Sequence, residues 1–171
     1  MLKIIGIILV IFASSKLGFS FASRLEMRKI SLVGFKNAFS LLEGEISFVK
    51  NTPQKAFEHI SALAQKPTDS FFAYLSQTLK NQRISFEDSW QKSIEKNKSK
   101  MCLAEADIQI LKEFSMRFGK SDVENEIKNI HNTRSAISTQ LAEAKNACDT
   151  NKKMYQSAGV LGGILIAVML F

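Results

Sequence analysis

Residues that build metal and redox sites are nearly missing from this chain. It has two cysteines and two histidines among 171 residues. Cys102, Cys148, His59 and His131 fall at no spacing that would close a metal site, so no metal or cofactor is expected. Cys148 takes an apolar helical position, which points to packing. No GxxxxGK[ST] phosphate loop occurs, and no GxSxG, HExxH or CxxC, which removes the familiar sequence routes to nucleotide, acyl and zinc hydrolysis. Glu43 and Glu45 lie two apart on a helix and share no face, so they make a poor catalytic pair, and both are expected to be solvated. The net charge is +7, yet no basic run or glycine-rich aromatic motif accompanies it, and nucleic acid is not an expected partner. With no convergent acid, base or nucleophile, the chain reads as an interaction module and not as an enzyme.

What is abundant is apolar sequence at the two ends. Ile4 to Ala22 reads IIGIILVIFASSKLGFSFA, and Ala158 to Phe171 reads AGVLGGILIAVMLF. Crossing a hydrocarbon core of roughly 30 Å takes about 20 helical residues. The first segment reaches that length, whereas the second would rise only about 21 Å. Residues 1–23 are therefore expected to form an N-terminal transmembrane anchor and 158–171 a short C-terminal membrane segment. Gly162-Gly163 offers a place for another helix to approach closely.

Basic residues crowd the inner flanks: Arg24, Arg28 and Lys29 after the first segment, Lys152 and Lys153 before the second. By the preference of Lys and Arg for the cytoplasmic side, 24–157 is expected in the cytoplasm. A disulfide is not expected there. Lys3 and Lys16 are the only basic residues outside 24–157 and every acidic residue lies within it, so this middle region keeps +5. An excess of that size suits a neighbouring anionic leaflet. Lys16 is costly inside a membrane helix unless its stem snorkels toward the interface. The competing reading is a cleaved signal peptide, with Lys3, the apolar run Ile4–Ala13 and the small residues after it supplying the outline. The chain would then be an exported helical interaction protein held by its C-terminal tail.

Between the ends the apolar period is helical throughout. Leu32, Phe35, Phe39, Leu42, Ile46 and Val49 form a seam at spacings of three and four, on a helix expected to continue from the first anchor and stop near Asn51. Thr52-Pro53 opens a helix bearing Ala56, Phe57 and Ile60, which Pro67 ends. Thr68 or Asp69 caps a third with Phe72, Leu75 and Leu79, and Asn81-Gln82 breaks the pattern. Ser85 to Asp88 has the outline of a capping box and starts a short helix with Trp90 and Ile94. Glu95 to Lys100 reads as a polar connector. A fifth helix carries Leu103, Ala106, Ile110, Leu111, Phe114 and Phe118, with Gly119 as its stop. The last runs through Val123, Ile127, Ile130, Arg134, Ile137, Leu141, Ala144 and Cys148 and on into the C-terminal segment. The expected architecture is all-α: an antiparallel bundle of about six helices, its two long outer helices paired and rooted in the membrane. Phe35, Phe39, Leu42, Ile46, Trp90, Phe114, Ile127, Ile137 and Leu141 are the expected core. Lys36, Glu43 and Glu45, on the helix leading out of the membrane, are the expected partner-facing residues.

Several stretches, in this order and spacing, carry a resemblance. They are MLKIIGIILVIFASSKLGF, LLEGEISF at Leu41–Phe48, Thr52 to Phe57, Phe86-Glu87-Asp88-Ser89-Trp90, Leu111 to Gly119, and Lys153 to Gly163. Together they resemble the stage III sporulation protein AB family of endospore-forming bacteria over the whole chain. The resemblance implies membership of a channel complex joining mother cell and forespore. It also implies kinship with the membrane platform component of type II secretion machines, whose cytoplasmic domains are six-helix bundles. The implied role is a non-enzymatic platform in the mother-cell membrane around the forespore. Its implied partners are the complex's protein AA-like ATPase, other channel proteins and the membrane, with room for a homo-oligomer.

Overall fold

A computed structural model describes residues 2–49, 52–80 and 84–170. It is all-α, with no strand among the described residues. The elements are α1 (Leu2–Gly44), a π-helical turn (Glu45–Val49), α2 (Pro53–Leu63), α3 (Asp69–Leu79), α4 (Phe86–Met101), α5 (Glu105–Arg117) and α6 (Val123–Leu170). The expected helix end at Asn51 and the break at Asn81-Gln82 lie outside the described residues, as does the side chain of Val49. By contact the chain divides into two units: Ile30–Ala142, and Met1–Lys29 with Glu143–Phe171.

Local chemistry sets the helix ends. Thr52 is extended before Pro53, which carries no amide to leave unpaired. Ser85 Oγ accepts the amide of Asp88 at 3.0 Å and donates to its carboxylate at 2.8 Å. Ser85 thus caps the helix as expected, while the Asp88 carboxylate bonds the Ser85 hydroxyl where a full capping box would use the Ser85 amide. Asp122 Oδ1 accepts the amide of Asn125 at the start of α6. The left-handed φ of +79° at Gly119 turns the chain after α5. Glu95–Lys100 is not a connector: α4 continues through it to Met101. Its buried residues Trp90, Ile94, Asn97 and Met101 keep the helical spacing, and Asn97 satisfies its amide on the Ser93 carbonyl at 2.9 Å.

Ile30–Ala142 is built around aromatic rings. Trp90 is fully buried, with Phe39, Phe57, Phe71, Phe72, Phe86 and Phe114 at centroid distances from 5.0 to 6.5 Å. Phe39 and Phe114 meet edge to face at 4.7 Å and 88°, the arrangement ring quadrupoles favour. Leu32, Phe35, Leu42, Leu111 and Ile137 are also buried. Ile46, Ile127 and Leu141, expected in the core, are only half-buried. Ile46 falls in the π-helical turn, where the face shifts from its α-helical position and Glu45 turns inward instead.

The other unit pairs the N-terminal part of α1 with the C-terminal part of α6, antiparallel. Ile11 lies against Gly163, Gly18 against Gly159, Phe21 on Tyr155 and Glu26 with Lys152. Its buried positions are all small: Gly18, Ala22, Ala144, Cys148, Gly163 and Ala167. A Cβ on Gly18 would come within 2.5 Å of the Tyr155 carbonyl, and one on Gly159 within 2.8 Å of Gly18 Cα. Only glycine lets the backbones come this close. Ser14 adds a hydrogen bond to the Gly159 carbonyl at 2.7 Å. The large side chains point away: Phe12, Leu17, Leu161, Leu165 and Val168 are each more than 60% exposed.

Candidate functional site

A pair of helices with glycine and alanine inside and leucine and phenylalanine outside is suited to lipid. Water would drive the large side chains together, whereas hydrocarbon solvates them and leaves close backbone packing to hold the helices. Among the described residues, Gly6–Ser47 contains a stretch long and apolar enough to cross a membrane. Of the Gly162-Gly163 pair, Gly163 makes the close approach, while Gly162 meets only Ser14 Oγ at 3.7 Å.

The flanking basic residues do not act alike. Arg24 and Lys153 are exposed, and Arg28 and Lys29 half-buried. Lys152 Nζ donates to Glu26 at 2.6 Å. That hydrogen bond holds the Glu26 carboxyl below the usual carboxylate range and pushes the Lys152 ammonium up.

Of the three expected partner-facing residues, only Lys36 faces solvent. Glu43 is half-buried and accepts from Arg134 on α6 at 2.5 Å, which explains the one charged residue in the α6 seam. Glu45 is not solvated: it is buried and bonded to His59 Nδ1 at 2.5 Å. The two carboxylates therefore serve pairs within the chain, on different helices, and Glu45 is buried where it was expected to be solvated. No group of three or more His, Cys, Asp or Glu that could hold a metal exists among the described residues, and Cys102 and Cys148 are both free thiols.

Two adjoining hollows mark one surface of Ile30–Ala142. The first, of about 420 Å³, lies between α1 and the end of α2 and is lined by Ile30, Val33, Asn37, Leu41, Ile60, Leu63 and Lys66 among others. The second, of about 460 Å³, lies between α1 and α6 and is lined by Lys36, Asn37, Ser40, His131, Arg134, Ser135 and Ser138. Asn37 and Ser40 belong to both. No local pattern signals this surface, because it joins turns of α1 to residues roughly 25 and 100 positions away.

Comparison with known proteins agrees with the fold. Residues 3–171 match the family model described as stage III sporulation protein AB. Stage III sporulation protein AB of Bacillus subtilis (strain 168) is 26% identical over 170 residues, covering 99% of each chain. A solved structure of a stage III sporulation protein AB shares the fold, with a TM-score of 0.67 and 22% identity over 72% of this chain and 97% of its own. With its whole helical length matched by one family model, the chain belongs to the stage III sporulation protein AB family and is a sporulation protein.

Proposed function

We propose that this chain is a non-enzymatic membrane platform of the mother cell–forespore channel. The observation that carries the reading is the inverted helix pair, small inside and large outside, at the two apolar ends. In this reading residues 1–23 and 158–171 lie together in the mother-cell membrane around the forespore. Residues 24–157 stand in the cytoplasm and dock the complex's secretion-type ATPase. The basic flanks Arg24, Arg28, Lys29, Lys152 and Lys153 support that orientation. Gly163 and Gly159 address the shortness of the C-terminal segment: packed on α1, it enters the bilayer as half of a pair, without having to span it alone.

The test is a clean deletion in the native host, followed by microscopy through spore development. Arrest after engulfment, restored by the intact gene, is the expected result. Normal spores would contradict a channel role. A defect restored equally by residues 24–157 lacking both apolar ends would contradict the membrane role.

A further inference from the structure

The two adjoining hollows on Ile30–Ala142 form one amphipathic surface. Ile30, Val33 and Leu41 are each 40% exposed and Leu63 is 52% exposed. Among the described residues of this unit the other exposed large apolar side chains are Met116 and Val123, so most such surface is gathered in one groove. Along α1 the apolar wall from Ile30 to Leu41 extends about 16 Å, or three helical turns. The neighbouring hollow supplies the opposite character. The charged and titratable side chains lining the two hollows are Lys36, Lys66, Arg134 and His131, with no Asp or Glu among them. Arg134 is already matched by Glu43, whereas Lys36 and Lys66 stand exposed.

We propose that this surface receives a single amphipathic helix of a protein partner, three to four turns long. Its leucine-sized residues would enter the groove of Val33, Leu41 and Leu63, and acidic residues at its edges would meet Lys66 in the same hollow and Lys36 in the adjoining one. A helix laid in a groove buries residues at spacings of three and four, and the α1 wall presents Ile30, Val33, Asn37 and Leu41 at such spacings, with Asn37 its one polar member. Unlike charge along the edge fixes its direction and speeds its arrival. Resting on the platform reading above, the helix belongs to the secretion-type ATPase.

The experiment uses the full chain in lipid nanodiscs and the purified ATPase, with binding measured at low and high salt. Val33→Asp and Leu63→Asp place charge in the groove at exposed positions, so the buried rings are untouched, and an unchanged thermal midpoint verifies this. Each should weaken binding about tenfold or more, the scale of a central apolar anchor. Lys36→Glu should slow association several-fold at low salt and less at high salt. Gln77→Asp, on the exposed part of α3, should change nothing. If the parent chain binds the ATPase and all three groove variants bind equally well, the groove assignment is overturned while the platform reading stands. If the parent chain does not bind the ATPase, the platform reading falls first and takes the assignment with it. Val33→Asp abolishing self-association or vesicle binding, with ATPase binding intact, would give the groove to a second copy or to the bilayer and overturn the proposal.

Discussion

In Ile30–Ala142 the rings of Phe35, Phe39, Trp90 and Phe114 are buried, and charged residues such as Lys36 and Lys66 face outward. In the paired ends the order is reversed, with Gly18, Ala22, Gly163 and Ala167 inside and Phe12, Leu161 and Val168 outside. The same chain thus contains two rules of packing. Burying one large apolar side chain gains roughly 1.5–3 kcal/mol in water, and the aromatic unit draws on that term many times. The paired ends forgo it and rely on backbone contact and a Ser14 hydrogen bond, which carry weight where water is absent. The first rule suits water and the second, in the proposed placement, suits lipid.

Mutations that attack each rule should separate the two units. Phe114→Ala removes a ring in contact with Phe39, Phe86, Trp90 and Phe118 and should destabilise the bundle by about 3–5 kcal/mol. Chemical denaturation of the full chain in detergent would measure this. A loss below about 1 kcal/mol would mean the cluster tolerates the cavity.

Gly18→Ile tests the other unit. Its side chain has no room against the Tyr155 carbonyl, and overpacking of this kind costs about 1–3 kcal/mol. A cysteine pair at Phe21 and Tyr155, whose rings lie 5.9 Å apart, should cross-link readily in the parent and several-fold less in the variant. Unaltered cross-linking would mean that the helices do not meet at Gly18.

Gly44→Ala is the matched control. Nothing lies within 4 Å of the added Cβ, and alanine in place of glycine in a helix should stabilise by about 0.5–1 kcal/mol. The same residue type is indispensable in one unit and dispensable in the other, and a thermal midpoint for Gly44→Ala below the parent would erase that contrast.

The smallest expected effect is a pH dependence of the Glu26–Lys152 pair. Its bond to Lys152 lowers the Glu26 value, so the carboxylate's contribution is present above the ordinary carboxylate range and lost as pH falls through the lowered value. Its bond to Glu26 raises the Lys152 value, so the ammonium's contribution is present below the ordinary lysine value and lost as pH rises through the raised one. The pairing of the ends should be flat across neutral pH and weaken toward both extremes, more at low salt than at high. Glu26→Gln should flatten the profile, and an unchanged profile would assign the dependence to other groups.

The comparison also explains which parts of the fold were legible in the sequence. Seams of Phe, Leu and Ile announced the helices of the bundle, and Ser85, Asp122 and Gly119 announced their ends, because those signals are local. Where buried positions are polar, the signal fails. Asn97 hid the last turns of α4 behind EKNKSK, and Asp107 and Ser115 blurred the buried face of α5, which includes Ile108 and leaves Ala106 exposed. Glu45 was misread because its partner, His59, lies 14 residues away on another helix. The glycine-rich tail advertised a close contact, but the matching of Gly18 with Gly159 depends on the register of two helices and was not readable from either.

The proposed orientation puts residues 1–23 and 158–171 in the membrane and residues 24–157 in the cytoplasm. Single cysteines at Lys36, Gln77 and Lys153, in a chain with Cys102→Ser and Cys148→Ser produced in vegetative cells, where the membrane it enters borders the medium, can be treated with a membrane-impermeant maleimide in intact protoplasts and again after lysis. No labelling before lysis and full labelling after it are expected, with the chain retained in the membrane fraction after an alkaline wash. Labelling of all three sites in intact protoplasts, or release of the chain by the wash, would contradict it.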